Sequence, residues 1–396
     1  MLHIVKSRIG SGKSRAIIDH IGQAVQAGRH CILIVPDQAT FSAEQQLCSQ
    51  LQIPGFMDIE VLSFNRLALR ICQDTGCREQ VYLDDRGKTM LLRAAIEDCR
   101  EQLSVYADAA KRRGFCEKVG RMLSLLESCS ITPEMLKARA DTLPASLLHA
   151  KLTDTAILYQ HFTALMEGGF TDNNERLRIA SELAGHCSFL ANTEIFIDGF
   201  ELLTVRLFEF VLALLHHTRK VTVSLNVPLD YTDQELYSLS QDTLFKLRKL
   251  SKEQYIPVEE ELIRRPKNLK AKEIAHLEDH MFGSPYLSYR GACESIHIYM
   301  ANTREDEVRH AGETILKKVR ETQLRYRDFC VLCNDLPAYA PLIARTFADL
   351  GVPVFTDSKR PISSHPLVLF ILSALRCCVY DYRPGDVCDL LHTKLT

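Results

Sequence analysis

Leu2-His3-Ile4-Val5-Lys6-Ser7-Arg8-Ile9-Gly10-Ser11-Gly12-Lys13-Ser14 is the stretch that decides the fold. Leu2–Lys6 is a short apolar run of the kind a buried strand needs, and Ser7–Ser14 is a polar, glycine-containing loop. Beyond it Ile17, Ile18, Ile21, Ala24 and Val25 recur at helical spacing, with Gly28 as a stop. Cys31–Val35 is a second buried-type strand, closed by Pro36-Asp37. Strand, loop, helix and strand make a βαβ unit, which implies a parallel sheet with a right-handed crossover.

The loop carries the chemistry. Glycines let successive backbone N–H groups turn into one concavity and hold phosphate oxygens. Gly10-Ser11-Gly12 supplies that loop, Lys13 a mobile cation for the β- and γ-phosphates, and Ser14 a hydroxyl for Mg²⁺. The helix that follows presents its positive end to the same anion. Ser7, Arg8, Ile9, Gly10, Ser11, Gly12, Lys13 and Ser14 are therefore the candidate ATP-binding residues. Ser7 stands where the full G-x-x-x-x-G-K-[ST] pattern has its first glycine. The plainer alternative is a flexible glycine turn with a surface lysine. A phosphate loop also wants a carboxylate at the tip of a neighbouring strand, to orient the water shell of the magnesium. Ile195-Phe196-Ile197-Asp198 puts an acid where open α/β sheets gather their ligands. Read alone, Asp198 is equally a turn or helix-capping residue. Paired with the loop, Ser14 and Asp198 become the candidate metal ligands. No residue is assigned a catalytic role.

Outward from the loop, Asp58–Leu62 reads as a third strand and Ser63–Cys72 as an amphipathic helix. Between 84 and 190 strand-like runs give way to helical patterns, with bends at Pro144 and Gly168–Asn174. The α/β pattern resumes at Glu194, with a helix over Leu207–Leu215 and a strand over Val221–Leu225. Phe245–Lys252 reads as a helix edge and Ile256–Lys272 as an exposed loop. A second βα module follows: strands over Ser295–Met300, Asp328–Cys333 and Val352–Phe355, helices over Glu305–Val319 and Tyr339–Leu350. The chain ends just after the helical stretch Asp386–Leu391, as if inside a domain. The expected division is 1–83, first part of an ATP-binding α/β domain; 84–190, a helical insertion; 191–290, the second part; and 291–396, the start of another α/β domain.

Composition bounds the rest. In 396 residues, 48 Lys+Arg face 50 Asp+Glu, a net charge of −2 that excludes the whole-chain electrostatics of a histone-like DNA binder. A local basic groove stays open. The candidates for it are Lys111-Arg112-Arg113 and the set Lys246, Arg248, Lys249 and Lys252, with Phe41 and Phe64 as aromatics. Each basic cluster is flanked by acids, so a solvated helix face is the plainer reading. No run approaches the ~18 apolar residues of a membrane span, and the N-terminus lacks a signal-peptide layout. A cytoplasmic chain with reduced thiols is expected, its 14 Cys mostly small buried hydrophobes. Cys330 and Cys333 form a C-x-x-C on a strand-like run, where that spacing turns the thiols to opposite faces.

Several blocks together resemble one family, the AddB subunits of bacterial AddAB helicase–nucleases. They are Ser7–Ser14; Ile34-Val35-Pro36-Asp37-Gln38-Ala39-Thr40-Phe41 with Glu44; Val61-Leu62-Ser63-Phe64-Asn65-Arg66-Leu67-Ala68; and Ile197-Asp198-Gly199-Phe200-Glu201-Leu202-Leu203-Thr204. Thr243-Leu244-Phe245, Asn302–Val308, Tyr326-Arg327-Asp328-Phe329 and Gly351–Asp357 continue the series in family order. The resemblance implies an α/β, UvrD-like superfamily-one helicase architecture, with RecA-like parallel-sheet P-loop domains and helical insertions. It implies work on double-strand-break ends for homologous recombination beside an AddA partner, on DNA. In that family AddB has lost its motor function and scans single-stranded DNA for the Chi signal. The family's nuclease domain and iron–sulphur cluster lie downstream of residue 396, so none of the 14 Cys is expected to ligate a cluster. Gly199 follows Asp198 where active helicases carry a Glu, with Glu201 two residues further on. Asn334 stands where active relatives carry an Arg. Binding of ATP–Mg²⁺ between two RecA-like halves, with little turnover, is the expectation. The competing readings are an active DNA motor, a scaffold with a vestigial loop, and a small-molecule kinase. The last would want a compact chain with an arginine-rich lid.

Overall fold

The computed structural model describes the chain except residues 53–54, 56, 78–80, 111, 113, 229–233, 265–270, 283–286, 357–361 and 396. It divides into two compact units, Met1–Cys293 and Glu294–Thr396.

In the first unit β1 (Leu2–Ser7), α1 (Lys13–Gln26), β2 (His30–Ile34), α2 (Thr40–Leu51), β3 (Ile59–Leu62) and α3 (Phe64–Asp74) follow in turn. A helical stretch comes next: β4 (Val81–Tyr82), α4 (Asp85–Cys99), α5 (Tyr106–Ala109), α6 (Phe115–Ser128), α7 (Pro133–Asp141), α8 (Leu147–Glu167), β5 (Phe170–Thr171) and α9 (Asn173–Leu183). Then come β6 (Thr193–Ile197), α10 (Val205–His217), β7 (Lys220–Asn226), α11 (Ser238–Glu253), β8 (Val258–Leu262) and α12 (Lys272–His280). Six strands form one parallel sheet in the order β3-β2-β6-β7-β1-β8. The fold is α/β and consistent with RecA-like domains.

Strand periodicity explains the two layers. Ile32 and Ile34 point to the face covered by α3, α9, α10 and α11. Cys31, Leu33 and Val35 point to the face covered by α1 and α2. Because both faces are buried, the central strands are apolar throughout, as parallel sheets require. The helical stretch builds its own core around Leu92, Ile96, Leu123, Leu158 and Phe162. Its last helix, α9, instead gives Leu177 and Ala180 to the sheet core. Inside the insertion, buried Asp154 accepts backbone N–H bonds from Ser104, Val105 and Tyr106 at 3.0, 2.7 and 2.8 Å, so it is a satisfied structural acid.

Two expectations need correction. Ile256–Lys272 is not simply an exposed loop: Val258–Leu262 is the edge strand β8, registered Leu2↔Val258 through Lys6↔Leu262. Its sequence, Val-Glu-Glu-Glu-Leu, reads as solvated, but neighbouring cations hold it. Lys6 reaches Glu260 at 2.5 Å, and Arg248 donates to both Glu260 oxygens at 2.6 and 2.7 Å. In the second unit, α13 (Arg304–Glu321) and α14 (Leu336–Leu350) form as expected and pack through Val308, Ile315, Ile343 and Phe347. The expected strands at 295–300, 328–333 and 352–355 form no ladder among the described residues. Ile298, Met300, Leu332 and Phe355 are each at least 90% exposed. An apolar run becomes a strand only where a partner supplies hydrogen bonds. α15 (Pro366–Val379) and α16 (Pro384–His392) pack on each other at the end of the unit. No described helix is long and apolar enough to cross a membrane.

Candidate nucleotide-binding site

Because every strand of the sheet is parallel, all six C-terminal ends share one edge, the position where α/β sheets bind ligands. β1 ends there at Ser7, β6 leads there into Asp198, and β7 ends there at Asn226. Ser7 and Asn226 are register partners, and Val227 N–H donates to the Ser7 carbonyl at 2.9 Å.

The loop from Ser7 to Gly12 turns sharply enough to aim α1 at this edge. Gly12 caps α1 at φ 88°, ψ 19°, a left-handed conformation that a Cβ would strain even though the surrounding space is open. Ser11 N–H donates to the Arg8 carbonyl at 3.2 Å. Ile9 and Gly10 are exposed at the tip, whereas Ser7 and Ser11 are buried, and Ser11 Oγ has no hydrogen-bond partner. Ser7 Oγ donates to the carbonyl of Arg8 at 3.0 Å. The Arg8 side chain leaves the loop: its Nη2 donates to the Glu278 carbonyl at 2.7 Å and its Nη1 lies 3.9 Å from Asp279. Ser14 is exposed in the first turn of α1.

Lys13 is half-buried, and its Nζ donates to Asn226 Oδ1 at 2.7 Å. Burial pushes the ammonium below its ordinary value, opposed by the Asp198 and Glu201 carboxylates. Asn226 Nδ2 in turn donates to Glu201 Oε1 at 3.4 Å. Asp198 accepts from Ser224 Oγ, and its backbone N–H donates to the Ile34 carbonyl at 3.0 Å. The turn after it is tight. Gly199 has φ 84°, and a Cβ there would meet Pro36 Cδ at 3.2 Å, so the β6 and β2 loops pack closely.

The arrangement thus brings Lys13 and Asp198 to one edge, with Ser14 on the turn beside them. It adds Ser224, Asn226 and Glu201, none of which is a site candidate from sequence alone. The signal for the first two is present: on a strand of period two, Thr222, Ser224 and Asn226 alternate with buried Val221, Val223 and Leu225. Glu201 stands two residues beyond the expected place, but the loop after β6, held by Thr243 Oγ1 donating to the Glu201 carbonyl at 2.9 Å, returns it to the site.

The nucleic-acid candidates do not converge. Lys246 pairs with Asp242 at 2.6 Å, Lys249 with Glu253 at 3.9 Å, and Arg248 with Glu260. Phe64 is core, while Phe41 is exposed. Of Lys111-Arg112-Arg113, Lys111 and Arg113 lie outside the described residues, as does Asp357.

The whole chain has clear relatives. A family model described as "ADDB, N-terminal" matches residues 4–278. An ATP-dependent helicase/deoxyribonuclease protein of the AddB type from Symbiobacterium thermophilum is 34% identical over 98% of this chain and 35% of its own length. Proteins of the same name from Geobacillus kaustophilus and Heliobacterium modesticaldum are 30% and 31% identical over 100% of this chain, covering 35% and 34% of their own lengths. The chain spans about a third of the length of these relatives. With a glycine loop on β1, a carboxylate beyond β6 and a family match over most of its first unit, the chain belongs to the AddB family, to whose N-terminal region it corresponds.

Proposed function

We propose that this chain is the nucleotide-binding, helicase-like part of an AddB-type helicase–nuclease component, of UvrD-like superfamily-one kind. It binds ATP–Mg²⁺ at the C-terminal edge of its sheet and has little motor activity of its own. In the assembled enzyme it works beside an AddA-like partner on broken DNA ends, where it takes part in reading single-stranded DNA for Chi.

The observation that carries the ATP reading is the convergence of Lys13, Asn226 and the Ser224–Asp198 pair beside a left-handed Gly12. The residues fit the nucleotide. Ser11 Oγ is buried without a partner at the loop, and the space about Gly12 is open. The amides from Ile9 to Ser14 and the Lys13 ammonium would hold the phosphates, and Ser14 with Asp198 the magnesium, which neutralises phosphate charge when bound. Lys13 is already oriented by Asn226, so part of the cost of ordering a long side chain is met before ligand arrives. Calorimetric titration of ATP–Mg²⁺ into the wild-type chain and Lys13→Ala tests this: the variant should lose most of its affinity, and equal affinities would refute the proposal.

A second reading, slow ATP turnover, gains support from Glu201. Its carboxylate accepts from Asn226 and favours the charged form of Lys13, so an acid stands close to the phosphate edge although Gly199 occupies the expected place. Turnover predicts DNA-stimulated phosphate release that Asp198→Ala and Glu201→Gln both abolish. A steady-state assay showing no release leaves ATP as a bound ligand only.

A further inference from the structure

The opposite edge of the same sheet carries a second cluster. His3 lies near the start of β1, His20 in the middle of α1 and Glu261 on β8. His3 to Ser7 is four residues of strand, roughly 13 Å, so this cluster is separate from the phosphate edge. His3 is buried; His20 and Glu261 are partly so.

The imidazole Nε2 atoms of His3 and His20 approach one oxygen, Glu261 Oε2, at 3.5 and 3.4 Å. Neither distance is that of a good N–H···O hydrogen bond, which runs about 2.7–3.2 Å. Both are close to the edge of a ligand tetrahedron: with metal–ligand bonds of about 2.0–2.1 Å, neighbouring donor atoms lie about 3.3–3.4 Å apart. All three donor atoms fall within 4.8 Å of one another. The Nδ1 atoms of both histidines are buried with no hydrogen-bond partner, so the pair is not held by an ordinary polar network. A cavity of about 340 Å³ borders His3 and His20, lined also by Gln23, Glu194, Lys220 and Thr222. It gives a fourth ligand, such as water, room to enter. Lys220 is the opposing charge at His3, and Glu259 pairs with it at 3.7 Å.

We propose that His3, His20 and Glu261 form a binding site for a first-row divalent metal ion, of the kind that favours two imidazoles and a carboxylate, with Zn²⁺ as the leading candidate. The ion pins the edge strand β8 to β1 and α1. β8 needs such a tie: it pairs on one side only and carries three consecutive glutamates.

Co²⁺ is the probe, because its spectrum reports the donor atoms. The reduced full-length chain is titrated with Co²⁺ and followed by visible absorption. The expected result is equimolar binding with d–d bands and no thiolate charge-transfer band. That distinction matters in a chain with 14 Cys. His20→Asn and Glu261→Gln, both partly exposed positions, should each weaken binding by at least about tenfold. X-ray absorption at the cobalt edge of the wild-type complex reads imidazole against sulfur directly and does not depend on any variant folding. Absence of binding, a sulfur-dominated edge, or the same affinity in both variants as in wild type would overturn the proposal.

Discussion

The two ends of β1 make different kinds of site from the same strand. At the C-terminal end, Ser7 runs into a loop whose glycines and lysine are contiguous in sequence, and backbone amides do much of the binding. At the N-terminal end, His3, His20 and Glu261 come from three elements separated by up to 258 positions (261 − 3), and only side chains converge. A phosphate site is therefore legible as a motif, because its donors belong to one short stretch. A side-chain cluster is legible only after the helix and the edge strand have docked.

Exchanging the two perturbations breaks the comparison most directly. Lys13→Ala should lower ATP–Mg²⁺ affinity by roughly 30-fold or more, the usual result of truncating one partner of a desolvated charge pair. It should leave Co²⁺ affinity untouched, while His20→Asn should do the reverse. Parallel calorimetric titrations check both, and a joint loss in either variant would make the two edges one coupled site.

Gly12→Ala comes next. A non-glycine residue in the left-handed region costs about 1–2 kcal/mol, and φ is 88° here. Thermal unfolding should show a lowered midpoint and titration a weakened ATP affinity, with the histidine edge unchanged. Glu260→Gln is smaller and sharpens the other edge. Hydrogen bonds from Arg248, then from Lys6, hold this carboxyl down at about 2. Its stabilisation is therefore present above the unfolded value of 4.5 and lost as pH falls through about 2. The variant should be about 0.5–1 kcal/mol less stable at neutral pH, equal to wild type in strong acid, and weaker for Co²⁺ because β8 loosens.

Glu127→Gln should move neither ligand. Burial first, then the Asp172 charge, pushes the Glu127 carboxyl up to about 7, against the pull of Lys88. A raised carboxyl binds its proton more tightly when folded, so its contribution holds below the unfolded value of 4.5 and fades as pH rises through about 7. The variant should gain stability over wild type at pH 8 relative to pH 5, read from thermal midpoints across pH. A change in either ligand affinity would link the helical insertion to the sheet edges.

Much of the first unit is written locally. The runs at β1, β2, β3, β6 and β7 are apolar because both sheet faces are covered, so each strand announces itself. β8 does not. Glu259, Glu260 and Glu261 suit water, and what makes them a strand is Lys6, Arg248 and the open edge of β1. The reverse error occurs at 295–300 and 352–355, where apolar runs find no ladder partner among the described residues. Composition proposes a strand, but hydrogen bonding to a neighbour makes it one. At the site the same division holds. Lys13 and Asp198 stand out by motif and position, whereas Ser224, Asn226 and Glu201 enter only through the β6–β7 pairing and the loop behind it.

Local sequence alone determined the βαβ start, the glycine loop with its lysine, and the acid beyond β6, because those features depend on neighbours within a few residues. Tertiary structure alone decided that Asn226 meets Lys13, that β8 completes the sheet, and that two imidazoles approach one carboxylate oxygen. Those contacts join residues far apart in the chain, and no local spacing encodes a distance that folding itself creates.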